Sequence, residues 1–180
     1  MKKILISGVG GLLGSKVFKK LENLNYKVFG ISHQSSKSNL KNNIIYLDLN
    51  TNWSVESLPK NIDIILHLAQ SNYYKDFPKR SLDIFNVNVA STAKLLDYAY
   101  KKKVKKFIYA STGGLYGPGI KKFKETDKIL PAGKLNYYLS SKLSGEILCR
   151  NYSSYFKIII IRPFFIYGFG QKKSMLLPRM

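Results

Sequence analysis

Along this chain, short unbroken apolar runs alternate with longer stretches in which apolar residues recur every third or fourth position. The runs are too short for helices and read as strands: Ile4, Leu5 and Ile6, then residues 27–32, 44–47, 62–68, 107–110 and 157–161. Between the first two, Leu12, Leu13, Val17, Phe18, Leu21 and Leu24 predict a helix with one apolar face, ending near Asn25. Leu82, Phe85, Val89, Ala93, Leu96 and Ala99 predict one long amphipathic helix over residues 81–100. A further helix is expected from about Asn136, carrying Tyr138, Lys142 and Glu146. This alternation of strand and helix implies an α/β fold with about six strands in a parallel, doubly wound sheet, whose ligands bind at the carboxyl ends of the strands.

The turn after the first strand gives that sheet a candidate ligand. Gly8, Gly11 and Gly14 follow at a spacing of three. Gly8 permits the turn, Gly11 lets backbone approach a pyrophosphate, and Gly14 lets the helix pack closely on the strand. The helix start at Leu12 and Leu13 then offers N–H groups and the positive end of a dipole. An ordinary strand-to-helix loop is the alternative to a Rossmann-type dinucleotide site, which the order of elements favours. At the far end of the second strand, an Asp or Glu would accept hydrogen bonds from the adenosine ribose of NAD. Ser32 stands there instead, followed by His33, Gln34, Ser35, Ser36 and Lys37, which favours NADP unless these are plain loop residues. Asp48 and Leu49, at the end of the third strand, either meet the adenine amino group or, for Asp48, form a turn.

Composition narrows the function classes. The 180 residues suffice for one well-filled core, so a single domain over residues 1–180 is expected. No apolar run approaches the roughly 18 residues that span a bilayer, and the first apolar segment breaks at Gly8, so a cytoplasmic location follows by default. The net charge of +20 comes almost wholly from scattered lysines. The densest group, Lys101, Lys102, Lys103, Lys105 and Lys106, falls where a helix should end and opposes its negative dipole end. Attraction of a polyanionic small molecule uses that field better than specific nucleic-acid binding. The lone Cys149 reads as a small helix residue. His67 reads as strand-end structure, and no cluster has metal-ligand spacing.

The residues that carry chemistry come late. Tyr138 and Lys142 share one helix face, and a lysine ammonium beside a phenol favours the phenolate, so the pair is a candidate proton shuttle. Thr112, at the end of the fifth strand, is placed to hold the same substrate hydroxyl, with a glycine-rich loop after it.

In this order the motifs resemble those of the extended short-chain dehydrogenase/reductase superfamily, in particular its NAD(P)-dependent sugar-nucleotide epimerase/dehydratase family. Residues 7–14 are similar to the T-G-x-x-G-x-x-G turn, and Leu47, Asp48 and Leu49 to the adenine-side motif. His67, Leu68 and Ala69 resemble H-x-A, and residues 88–92 resemble N-V-x-G-T, with Asn88 at its asparagine. Ala110, Ser111 and Thr112 with Tyr116 and Gly117 resemble the S-S/T…Y-G loop. Tyr138 and Lys142 match Y-x-x-x-K, and Arg162, Pro163 and Phe164 with Tyr167 and Gly168 resemble R-P-F-N-V-Y-G. The resemblance implies Tyr138 as acid/base, Lys142 tuning it and holding the nicotinamide ribose, and Thr112 on the reacting hydroxyl. It also implies that Leu68, Ala69, Asn88, Ser111 and Phe164 line the cofactor.

By the same resemblance the expected activity is an NAD(P)-dependent nucleotide-sugar epimerase or 4-keto-sugar reductase acting by hydride transfer. A homodimer is among the expected assemblies. Gly113 and Gly114 stand where dehydratases and decarboxylases carry an acid, which disfavours dehydration. Phe165 replaces the usual Asn of R-P-F-N, which puts the grip on the substrate nucleotide in doubt. Relatives continue past the segment like residues 174–180 into a lobe that closes over the sugar. The competing expectation is therefore a truncated, non-catalytic dinucleotide-binding module or sensor.

Overall fold

The computed structural model describes residues 1–33, 43–119 and 122–171. Six parallel strands lie in the order β3-β2-β1-β4-β5-β6. They are β1 (Lys3–Ser7), β2 (Lys27–Ser32), β3 (Ile44–Tyr46), β4 (Ile64–His67), β5 (Lys106–Ala110) and β6 (Lys157–Ile161). The chain runs outward from β1 to β3, then returns to the other side of β1 with β4. That reversal opens a crevice at the carboxyl ends of β1 and β4, where Ser7 sits opposite His67.

Side chains on a strand alternate between faces, and β1 shows the result. Ile4 and Ile6 pack with Val9, Phe18 and Val28 beneath α1 (Leu12–Asn23). Leu5 faces the other way, into a larger core with Ile31, Ile65, Phe107, Leu95 and Leu96. Removing a fully buried aliphatic side chain such as Ile65 to Ala costs about 2–5 kcal/mol.

The long helix expected over residues 81–100 is real but not uniform. It comprises α2 (Ser81–Phe85), a π turn (Asn86–Ala90) and α3 (Ser91–Lys101). Periodicity could not show the π turn, because one wider turn shifts the apolar stripe by only one position. The lysines at the end of α3 behave as surface groups. Lys101 pairs with Asp97 at 2.8 Å, and Lys105 pairs with Asp63 at 3.2 Å. The last helix, α4 (Tyr137–Asn151), starts where Asn136 accepts the Leu139 N–H at 2.9 Å, a side-chain cap. Cys149 is fully buried on α4. Among the described residues, no helix is long and apolar enough to cross a membrane.

Candidate active site

The glycine turn is built as its spacing implies. Gly8 has φ +79°, in the left-handed region, and its N–H and that of Val9 both donate to the Ile31 carbonyl. A side chain at Gly8 would meet Ala69 backbone at 2.8 Å. At Gly14 it would lie 2.1 Å from the Gly8 carbonyl oxygen, so only glycine lets α1 approach β1. Gly11 caps α1 without a side chain, the first turn carries no acid, and Leu12 and Leu13 are half-buried. A glycine cradle at an uncapped helix N-terminus fits a diphosphate.

Ser32 is buried against this turn, its hydroxyl within 3.1 Å of where a Gly10 Cβ would stand. What it brings to the strand end is small bulk and no charge. Residues 34–37, the rest of that NADP reading, lie outside the described residues, as do residues 174–180. Asp48 is exposed, and its Oδ1 accepts the Asn50 N–H at 2.9 Å, the turn-forming role. Leu49 is 6% exposed and belongs to the core.

His67, fully buried, joins the crevice to α3. Thr92 Oγ1 donates its one hydrogen to the Asn88 carbonyl at 2.8 Å, so it must accept from His67 Nε2 at 2.9 Å. Nδ1 is then the acceptor, and Ser7 Oγ donates to it at 2.6 Å while accepting the Ala69 N–H at 3.2 Å. Burial first, and then the Lys142 charge, hold the imidazole pKa down to about 3. The ring is neutral and structural, as its strand-end position suggested.

Asn88 lies in the π turn. It is 1% exposed, its Oδ1 accepts the Ser71 N–H at 2.9 Å and its Nδ2 donates to Ser141 Oγ at 2.9 Å. With both ends of the amide engaged, it ties the loop after β4 to α4. The wider turn is what swings this side chain between the two elements.

Tyr138 and Thr112 come together as expected. Thr112 starts a 3₁₀ turn, Gly113–Tyr116, by accepting the Gly114 N–H at 3.2 Å, and its hydroxyl is near enough to the Tyr138 phenol to favour the charged form. Lys142 lies one turn further along α4, 2% exposed, its Nζ 4.9 Å from the centre of the Tyr109 ring. Burial draws its pKa down to about 8, against the pull of Cys149 and Glu146.

The expected lowering of the tyrosine pKa is not what this arrangement gives. Burial raises the Tyr138 pKa, Tyr74 adds to the rise, and Thr112 opposes it. Two residues that the sequence reading passed over also touch Tyr138. Gln70 Oε1 accepts its hydroxyl at 3.1 Å, and the Tyr74 ring lies 5.2 Å from its own. Nothing in the spacing of Gln70 or Tyr74 marks them, because they reach Tyr138 only through the path of the loop after β4.

Behind the site, Glu146 grips Arg162 through two bonds of 2.8 and 2.7 Å. Burial works to raise the Glu146 pKa, but Arg162, Ser111 and Arg150 outweigh it and leave the carboxyl below its ordinary value. The Ser111 hydroxyl is buried near this carboxylate, outside good hydrogen-bond geometry. Arg162 lies over the Tyr116 ring at 4.9 Å, and Tyr116, Phe123 and Phe164 stack with planes within 15° of parallel. Phe164 covers Gly113 so closely that a side chain there would meet its ring at 2.6 Å. A cavity of about 580 Å³ between residues 52–55 and α3 shares no residue with this site. Among the described residues, no group of three or more His, Cys, Asp or Glu could hold a metal.

Comparison with protein-family models matches residues 4–180 to the NAD dependent epimerase/dehydratase family. The chain belongs to that family. Human dTDP-D-glucose 4,6-dehydratase is 28% identical over 99% of this chain and 55% of its own length. GDP-6-deoxy-D-talose 4-dehydrogenase of Aggregatibacter actinomycetemcomitans is likewise 28% identical, over 99% of this chain and 58% of its own. The structure of UDP-glucuronic acid 4-epimerase from Bacillus cereus in complex with NAD superposes with a TM-score of 0.81 at 29% identity. That match covers 96% of this chain and 60% of the other. The chain thus spans little more than half the length of these epimerase/dehydratase relatives.

Proposed function

We propose that this chain carries the dinucleotide-binding and proton-transfer parts of an NAD(P)-dependent nucleotide-sugar epimerase or 4-keto-sugar reductase. The observation that carries the reading is the convergence of Thr112, whose hydroxyl favours the charged Tyr138 phenol, with Tyr138 and Lys142 one turn apart on α4, at the carboxyl edge that holds the glycine cradle. Gly8, Gly11, Gly14, Leu12 and Leu13 would hold the diphosphate, and Leu68, Ala69, Ser111 and Phe164 would flank the nicotinamide side. Asp48, exposed beside its turn, would meet the adenine. Lys142 would hold the nicotinamide ribose. When bound, the nicotinamide supplies or takes a hydride at a sugar carbon. Tyr138 gives or takes the proton on the oxygen of that carbon, and Thr112 holds the same oxygen in line.

Dehydration is disfavoured for a spatial reason beyond the missing acid. Phe164 already fills the space that a side chain at position 113 would need. NADP is the preferred dinucleotide in this reading, since β2 ends at an uncharged Ser32. A homodimer fits the exposed Ile147 of α4 and the exposed Tyr100 of α3, and sedimentation would test it.

A non-catalytic dinucleotide module is the second reading, favoured by Phe165 and Phe169, 89% and 93% exposed beyond β6. Titration of the chain with NAD, NADH, NADP and NADPH, followed by turnover assays with nucleotide sugars, separates the readings. The enzyme reading expects saturable binding, tightest for the phosphorylated pair, and turnover that falls at least about a hundredfold in Tyr138→Phe. Binding without turnover on any nucleotide sugar would leave the module reading, and no binding would remove both.

A further inference from the structure

The phenol of Tyr138 has two polar neighbours. Thr112, whose Oγ1 accepts from Gly114 N–H at 3.2 Å, favours the charged phenol from one side. On the other side the chain of contacts ends where the Tyr138 hydroxyl donates to Gln70 Oε1 at 3.1 Å. Its last link exists only while the phenol keeps its hydrogen, because a carboxamide oxygen has nothing to donate to a phenolate. The Tyr74 ring, 5.2 Å away and from the same loop, covers the phenol with apolar surface that also disfavours the charged form.

We propose that Gln70 is a positioning residue that holds Tyr138 as a neutral acid in the free protein, so that the site rests ready to protonate a substrate carbonyl oxygen. The inference rests on the hydride-transfer reading above and deepens it, because it favours the keto-sugar reductase over the epimerase. In the reducing direction the carbonyl carbon gains a hydride from the reduced dinucleotide, and the carbonyl oxygen takes the Tyr138 hydrogen. The C=O double bond becomes a C–H and an O–H bond, and the tyrosinate left behind regains a proton from water. An epimerase must first oxidise a sugar hydroxyl, for which the tyrosine has to accept a proton. There Gln70 works against the first step.

The test is a titration of Tyr138 in the full chain, read by NMR of ring-labelled (¹³Cζ) tyrosine, with Tyr138→Phe identifying the signal. Gln70 is exposed, so Gln70→Leu and Gln70→Glu are expected to fold, as melting curves will verify. The Tyr138 pKa is expected to fall by roughly 0.5–1 in Gln70→Leu, the worth of one hydrogen bond, and to rise in Gln70→Glu. An unchanged value in Gln70→Leu overturns the proposal. So does a higher one, which would mean that the amide turns its NH₂ towards the phenol. Should alkali unfold the chain first, the ¹³Cζ shift at neutral pH decides, since losing the acceptor moves it and a merely structural Gln70 does not. Dinucleotide titration of the same samples is read separately. If the wild-type chain binds none, the hydride-transfer reading fails whatever Gln70 does to the tyrosine.

Discussion

Two buried titratable residues in the crevice make stability rise with pH, in two separate windows. His67, whose ordinary pKa of 6.5 is held down to about 3, stays neutral in the fold but protonates in the unfolded chain. Its pKa is depressed, so the unfolded state binds more protons between those two values, and stability falls as pH drops through that window. The loss should be about 1 kcal/mol between pH 6 and 5 from this residue. Nitrogen-detected NMR should show the Nε2-protonated tautomer unchanged at pH 5, and a ring that titrates near 6 would refute the Ser7–His67–Thr92 chain. Lys142, drawn down to about 8, penalises the fold while charged, and that penalty is relieved as pH rises from about 8 towards the ordinary lysine value.

Gly14 supplies a second residue-scale prediction. A Cβ there would fall 2.1 Å from the Gly8 carbonyl, and the obstacle is backbone, which cannot swing aside like a flexible side chain. Gly14→Ala should therefore destabilise the chain by about 1–3 kcal/mol and abolish dinucleotide binding. Urea unfolding and the cofactor titration would check the two halves, and wild-type binding in this variant would contradict the packing.

Among the elements, α4 matters most to the site because it carries Tyr138, Lys142 and Glu146 on successive turns and is anchored at three levels. Asn136 caps its start, Asn88 holds Ser141, and Glu146 holds Arg162 at the end of β6. Gly145 lets it settle on Tyr109, whose hydroxyl lies where a Cβ would be 2.1 Å away. The π turn is what brings Asn88 to both Ser71 and Ser141. Asn88→Ala should cost about 1–3 kcal/mol, the penalty for leaving buried polar groups without partners. Hydrogen exchange at the Ser71 amide should accelerate in that variant, and unchanged protection would show that Asn88 does not bear on the loop.

For the molecule as a whole, the strand order sets where function sits. Reversal between β1 and β4 leaves one crevice, and the loops after β1, β4 and β5 together with α4 all reach it. Beyond β6 the chain shows Phe165, Tyr167 and Phe169 to solvent. In the proposed reading Phe165 would meet the nucleotide of the sugar. Replacing Phe165 with Asn should then change sugar affinity while leaving dinucleotide affinity within about twofold, since single exposed substitutions rarely shift a distant site.

Sequence alone determined the alternation of strands and helices and the glycine cradle. Each of these follows from a local rule: run length, the 3.6-residue period, or the absence of a Cβ where backbone must pass. The strand bounds moved by a residue or two, as at β4, where Ile62 precedes the strand although it is buried. Tertiary structure decided what depends on two distant segments meeting. It placed Asn88 in a structural clasp, turned the Lys142 ammonium towards Tyr109, and left Tyr138 with a raised pKa. It also set Gln70 against Tyr138 across 68 positions of sequence. Hydrogen-bond direction and burial are properties of the assembled neighbourhood, and no spacing along the chain encodes which side chain a loop will deliver to a phenol.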